Sequence, residues 1–462
     1  MQPISAKKLL AGLQTNPPQE IMITAVVTDS RAICKDCIFV CFPGQRVDGH
    51  DFAGQAIQQG AAYVVVNRLL QGIAPEKQIV CASSHQAMMQ MGANYRAQFA
   101  PKMIGVTGSV GKTTTKEFCY AVLSAFGKTI KTEGNQNNEI GVPNTLFRLQ
   151  DTTEYAVVEM GMSALGEIQR LSMAAKPSAG IITCIGVSHM ETLGSQENIC
   201  KAKLEICAGL PDGAPLALNA DDEYLNKAHQ SGQIPRRLQS VWYGIESDKA
   251  EIAACDIQNH DDGQTFTLWD KKYGKFAVSI PTLGKHNIYD ALAAYAAASR
   301  MGLEPDVCAK ALSQYKSTGM RQNVVHKNGC TFIEDCYNAS PDSMKASLEM
   351  FRQYPVKGRK FALLGDMLEL GSIEQQAHEQ VGVWAAESGI CQLVAVGNAS
   401  KAMVQAAQQK GLCAVHCDTH QQAAEILAQQ MKPGDALLAK ASRGIKLETV
   451  LQILYGQAEG LK

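Results

Sequence analysis

The chain has 462 residues, too many for one ordinary hydrophobic core and about the length of three domains. Its 43 basic and 44 acidic side chains leave a formal net charge of −1. That balance excludes a broad electrostatic claim on nucleic acid or an anionic membrane, so any basic site must be local.

Residues 1–98 read as a small α/β unit, with helices expected near 6–14 and 52–59 and strands near 24–29, 38–41 and 62–66. The opening MQPISAKKLLAGLQ soon turns polar, and no later run approaches the roughly 18 apolar residues of a membrane span. A soluble cytoplasmic protein is therefore expected, and its fifteen scattered cysteines suit reduced thiols. Cys34 with Cys37, and Cys413 with Cys417, invite a zinc reading. A closed zinc site needs four convergent ligands, however, and these pairs lie at opposite ends of the chain.

A polar junction with Pro101 separates this unit from residues 99–317, where apolar runs at 103–106, 155–159, 180–184 and 215–219 alternate with helical stretches. Such alternation predicts a mostly parallel sheet covered by helices. A second boundary falls near 317–319, after an alanine-rich helix at 289–300. Residues 318–462 alternate in the same way and form a third α/β unit.

The second unit opens on Ile104-Gly-Val-Thr-Gly-Ser-Val-Gly-Lys-Thr-Thr-Thr-Lys116, a strand, a glycine-rich turn and a helix start. Backbone N–H groups in such a turn converge on phosphate oxygens. Lys112 adds mobile positive charge, and the Thr113 hydroxyl can ligate Mg²⁺. The pattern G-x-x-x-x-G-K-[ST] wants glycine at 106, where this chain has Val106. Three later groups stand at or beyond strand ends: Glu159, His189 and, fourteen residues past the histidine, Lys203. Oxygen-rich coordination by Thr113, Glu159 and phosphates suits Mg²⁺, whereas His189 is a less usual partner for so hard an ion. Taken singly, Glu159 and His189 also fit local loop hydrogen bonding, and Lys203 a solvated helix face.

These segments together resemble the Mur ligase family of ATP-dependent amide-forming enzymes, end to end. The family's T-G-x-x-G-K-[ST] loop is matched by Thr107, Gly108, Ser109, Val110, Gly111, Lys112 and Thr113, followed by Thr114, so Val106 is the family's form. The resemblance implies a three-domain α/β architecture, with a central phosphate-loop sheet and a Rossmann-like C-terminal domain. It also implies two Mg²⁺ ions held by Thr113, Glu159, His189 and an N-carbamylated Lys203, with Lys201 a rival for that last role. Asn287, in Gly284-Lys-His-Asn287, would contact adenine, while Asp290 replaces an asparagine common at its place. Arg321 would reach the ATP phosphates across the domain boundary, and Asp335 and Asn338 would border the nucleotide.

Within the family, Leu364-Gly-Asp-Met-Leu-Glu-Leu-Gly371 and Lys440-Ala-Ser-Arg443 resemble the member that adds D-alanyl-D-alanine to UDP-N-acetylmuramoyl-tripeptide. Glu369, His378 and Arg443 would then hold the dipeptide. The alternative is the member that adds the third residue, whose D-[ND]-P-R motif is not found here. Ser30, Arg31, Gly44, Arg46, Asp48 and His50 resemble the segment that binds the UDP end of the substrate, where two arginines supply local charge for a diphosphate. A monomer is expected.

Overall fold

The computed structural model describes residues 1–13, 20–44, 47–260 and 263–459. A four-stranded parallel sheet forms from Ala25–Val27, Cys37–Val40, Tyr63–Val66 and Gln78–Val80. Its two middle strands are buried throughout, as their unbroken apolar runs require of a covered parallel sheet. The expected first helix is short, ending at Leu9. The expected strand at 24–29 is shorter, Ala25–Val27, and joins the main sheet, while Met22–Ile23 before it pairs antiparallel to Ile4–Ser5.

The central unit is a nine-stranded sheet built outward from Lys102–Thr107, which lies between Tyr155–Glu159 and Ala179–Ile182. Seven strands, from Thr129–Lys131 through Gln239–Gly244 to Ile252–His260 in sheet order, pair in parallel. The far edge differs from expectation: Ile252–His260, Gly263–Asp270 and Gly274–Ile280 form an antiparallel ribbon. Helix Lys285–Arg300 begins earlier than its alanine run and packs on helix Lys112–Ser124, small side chains allowing close approach. Val106 is wholly buried in this layer, so position 106 serves as core strand and not as part of the turn.

The C-terminal sheet has six strands, ordered from Asn323–Lys327 through Cys330–Glu334, Ala436–Lys440, Lys360–Gly365 and Gln392–Val396 to Cys413–Cys417. All pair in parallel except the first. The strand end at Lys440 shares a cavity with the central unit's phosphate loop, which fixes where a site between the two can lie. No described helix is long and apolar enough to cross a membrane.

Candidate active site

The phosphate loop turns through Gly108, at φ +145°, and Gly111, at φ +87°. A Cβ on Gly108 would lie 1.8 Å from Thr183 Oγ1, and one on Gly111 2.4 Å from Asp290 Oδ1. Both positions therefore need glycine for conformation and for space. Thr107 anchors the strand end, its hydroxyl donating to the Met160 carbonyl at 2.8 Å. Lys112 Nζ folds over the turn and donates to the carbonyls of Gly108 (2.8 Å) and Ser109 (3.1 Å). Burial holds its pKa below the usual lysine value, with Glu159 opposing.

Beside the loop, Glu159 is 2 % exposed. Its Oε2 accepts from Thr113 Oγ1 at 3.0 Å and its Oε1 from Asn137 Nδ2 at 2.8 Å. Asp290 lies under the turn and accepts from Thr115 Oγ1 at 2.8 Å; burial pushes its carboxyl up to about 8 against that bond and Arg321. His189 sits at φ +64° with Nδ1 3.0 Å from Glu369 Oε2. Its imidazole is pushed down to about 4, first by burial and then by Lys203 and Lys112. Lys203 has no exposed surface, and its Nζ has no hydrogen-bond partner among the described residues. Burial and the Lys112 charge hold it well below the ordinary lysine range. Lys201 is exposed in a separate shallow groove with Gln169 and Gln233.

From the far side, Asp335 Oδ2 accepts from Lys440 Nζ and Ser347 Oγ, both at 2.7 Å, and Lys440 also reaches the Asn338 carbonyl. The Arg321 guanidinium lies 4.1 Å over the Tyr337 ring. Asn287 Nδ2 donates to the Leu283 carbonyl and to Gln322 Oε1.

A cavity of about 660 Å³ collects these groups: Ser109 to Thr114, Glu159, His189, Asn287, Asp290, Arg321, Asp335 and Asn338. Thr107, Gly108 and Lys203 are not on its lining. Sequence reasoning missed Asn137, which lies in no motif, and read Lys440 only as the start of a segment; each is recognised as a lining residue by the carboxylate it meets. His378 also differs from expectation. It is wholly buried, with Nε2 accepting the Met367 N–H and Nδ1 donating to the Glu374 carbonyl, so both nitrogens are used in shaping the loop. Arg443 pairs with Glu448 at 2.8 Å.

The N-terminal candidates lie apart from this cavity. Ser30 and Arg31 form a short turn in which Arg31 pairs with Asp29, whose carboxyl is lowered to about 2 by those bonds. His50 is buried between Asp48, 2.6 Å from Nδ1, and the Asn67 N–H on Nε2. A Cβ on Gly44 would lie 2.3 Å from the Val47 carbonyl oxygen. Arg46 lies outside the described residues.

A phosphate cradle at a strand end, roofed by a second α/β unit, defines a nucleoside-triphosphate-binding protein of the phosphate-loop class. Comparison with known proteins narrows the class. Residues 22–113 match the Mur ligase family catalytic domain, residues 106–298 the Mur ligase middle domain, and residues 320–443 the Mur ligase glutamate ligase domain. A Bacillus subtilis relative named UDP-N-acetylmuramoyl-tripeptide--D-alanyl-D-alanine ligase is 37 % identical, over 97 % of this chain and 96 % of its own. The crystal structure of MurF from Acinetobacter baumannii superposes with a TM-score of 0.90 at 30 % identity, covering 99 % of each chain. MurF from Thermotoga maritima in complex with ADP gives 0.84 at 26 %, over 95 % of this chain and 98 % of that one. The chain belongs to the Mur ligase family of ATP-dependent ligases.

Proposed function

We infer that this chain joins D-alanyl-D-alanine to UDP-N-acetylmuramoyl-tripeptide, forming the pentapeptide precursor of peptidoglycan with conversion of ATP to ADP and phosphate. The supporting observation is the cavity between the central and C-terminal units, in a chain whose full-length relative bears that ligase name. The third-residue ligase has no comparable support; a structural neighbour of that activity is 17 % identical and speaks to the fold alone. We place the reaction in the cytoplasm and assign it to a monomer.

Amide formation from a free carboxylate is uphill, so the tripeptide's terminal carboxylate first takes the γ-phosphoryl group of ATP, giving an acyl phosphate and ADP. The dipeptide amine then attacks the acyl carbon, and the tetrahedral adduct collapses to amide and phosphate. Lys112 and the loop N–H groups neutralise the transferring phosphoryl group, and Arg321 approaches it from the domain junction. Asn287 and Asn338 border the nucleotide, and Asp335 is fixed beside them by Lys440. Ser30, Arg31, Arg46 and Asp48 are assigned to the UDP end of the substrate, with His50, whose ring nitrogens meet Asp48 and Asn67, holding Asp48 in place.

The donor set suits Mg²⁺: a buried carboxylate on a hydroxyl, a neutral imidazole and a lysine with an unpartnered buried Nζ. Thr113, Glu159, His189 and Lys203 would hold two ions, which when bound neutralise phosphate charge. A bare ammonium would repel a cation. Reaction of the Lys203 amine with CO₂, with loss of a proton, gives an anionic oxygen ligand instead, and buried Lys203 suits this better than exposed Lys201.

The test is phosphate release with UDP-N-acetylmuramoyl-tripeptide, with and without D-alanyl-D-alanine. Release dependent on the dipeptide is expected. Equal release with a single amino acid, or none with any acceptor, would overturn the reading.

A further inference from the structure

Lys116 is a buried cation that neither the phosphate-loop motif nor the proposed mechanism uses. Its side chain is 1 % exposed, with Nζ 3.3 Å from Glu117 Oε1 and 3.6 Å from Glu159 Oε2. It follows Thr113 by three residues and so sits one turn further along the same helix face. Glu117 is also buried, and takes Lys131 Nζ and, at 3.3 Å, Thr318 Oγ1. Glu159 meanwhile holds Thr113 and Asn137. A lysine is rarely buried unless paired, and here one ammonium is divided between two acids that it cannot serve equally. One acid faces the cavity; the other faces Thr318, on the segment joining the central and C-terminal units.

We propose that Lys116 is a positioning residue that sets the cation affinity of Glu159, through the share of its charge that Glu117 draws away. The inference rests on the reading of Glu159 as a metal ligand. Its signature is a pair of opposite effects. Removing the Lys116 charge strips a competitor from Glu159 and tightens cation binding. Neutralising Glu117 leaves Lys116 with Glu159 alone and weakens it. Removing Lys131 makes Glu117 the stronger attractor, pulls Lys116 from Glu159 and again tightens binding.

The experiment is a titration of the ADP-loaded full-length chain with Mn²⁺, following free Mn²⁺ by electron paramagnetic resonance. Lys116→Met should tighten binding by about tenfold and Glu117→Gln weaken it by about as much, charges at these separations being worth that order. Lys131→Met should tighten it several-fold. Lys131 is partly exposed, so this variant decides the matter if the two buried ones fail to fold. Unchanged affinity in the folded variants, or shifts of one sign in Lys116→Met and Glu117→Gln, would overturn the proposal. Glu159→Gln separates the two claims. Unaltered Mn²⁺ binding in it means the metal reading itself has failed. Lost binding there, with the other variants like the parent, removes only the role of Lys116.

Discussion

His189 Nδ1 lies 3.0 Å from Glu369 Oε2, and both residues hold left-handed backbone, at φ +64° and +62°, on facing loops of the central and C-terminal units. Two residues on, a Cβ on Gly371 would lie 3.1 Å from Glu191 Cα. The Glu369 side chain is 65 % exposed and its partner imidazole is neutral at ordinary pH, so the contact contributes at most about 1 kcal/mol. Close approach at Gly371 is the stronger constraint on docking. Glu369→Ala should therefore leave the melting temperature nearly unchanged, while Gly371→Leu should hold the units apart. Small-angle scattering with ADP should show a larger radius of gyration for Gly371→Leu. Curves identical to the parent's would remove this loop from the docking surface.

Gly108→Ala tests the cradle. The added methyl would collide with the Thr183 hydroxyl and strain a backbone at φ +145°, a region costly to any other residue. The turn must then shift, and the N–H groups that converge on phosphate shift with it. We expect fluorescent ATP analogue binding to weaken by at least about a hundredfold, with circular dichroism unaltered, since the surrounding strands keep their core. Parent-like nucleotide affinity would show that the turn does not hold phosphate.

The phosphate loop was legible because its chemistry is consecutive in sequence, and Glu159 and His189 because they stand at or beyond strand ends. Lys203 and Lys201 were not separable. Two residues apart, they lie on different faces of one helix, and only what packs against each decides which is buried. Asn137 was invisible because its role is a contact with Glu159, made through a loop with no apolar pattern. The antiparallel ribbon was missed for a related reason: Cys255 to His260 are exposed on both faces, so the strand shows no alternation. His50 and His378 read as ligand-facing from sequence, yet each has both ring nitrogens bonded within its own unit.

Lys203→Ala removes the unpartnered amine without touching the cavity lining. Ligase activity should fall by at least about a hundredfold, the scale of losing a charge-stabilising group in phosphoryl transfer. ADP affinity should stay within about threefold. Formate or acetate, which can stand in for a carbamate oxygen pair, should restore part of the activity, and Lys201→Ala should behave like the parent. Full activity of Lys203→Ala without additives would refute the carbamate reading.

Asp290 gives a prediction in pH. Its carboxyl titrates near 8 in the folded chain, raised by burial from the ordinary value of 3.8. Between those values the folded state keeps a proton that the unfolded chain has released. Stability from this group is thus complete below about pH 4 and is lost as pH rises through 8. Asparagine cannot titrate, and it keeps an oxygen for the Thr115 hydroxyl, which donates at 2.8 Å. Asp290→Asn should therefore gain about 1–3 kcal/mol over the parent at pH 8.5 and little at pH 5, measured by urea unfolding at both. ATP binding should survive, because the side chain supports the turn from beneath Gly111. A difference between parent and variant that is the same at both pH values would place the titration of Asp290 elsewhere and leave its burial without a proton to explain it.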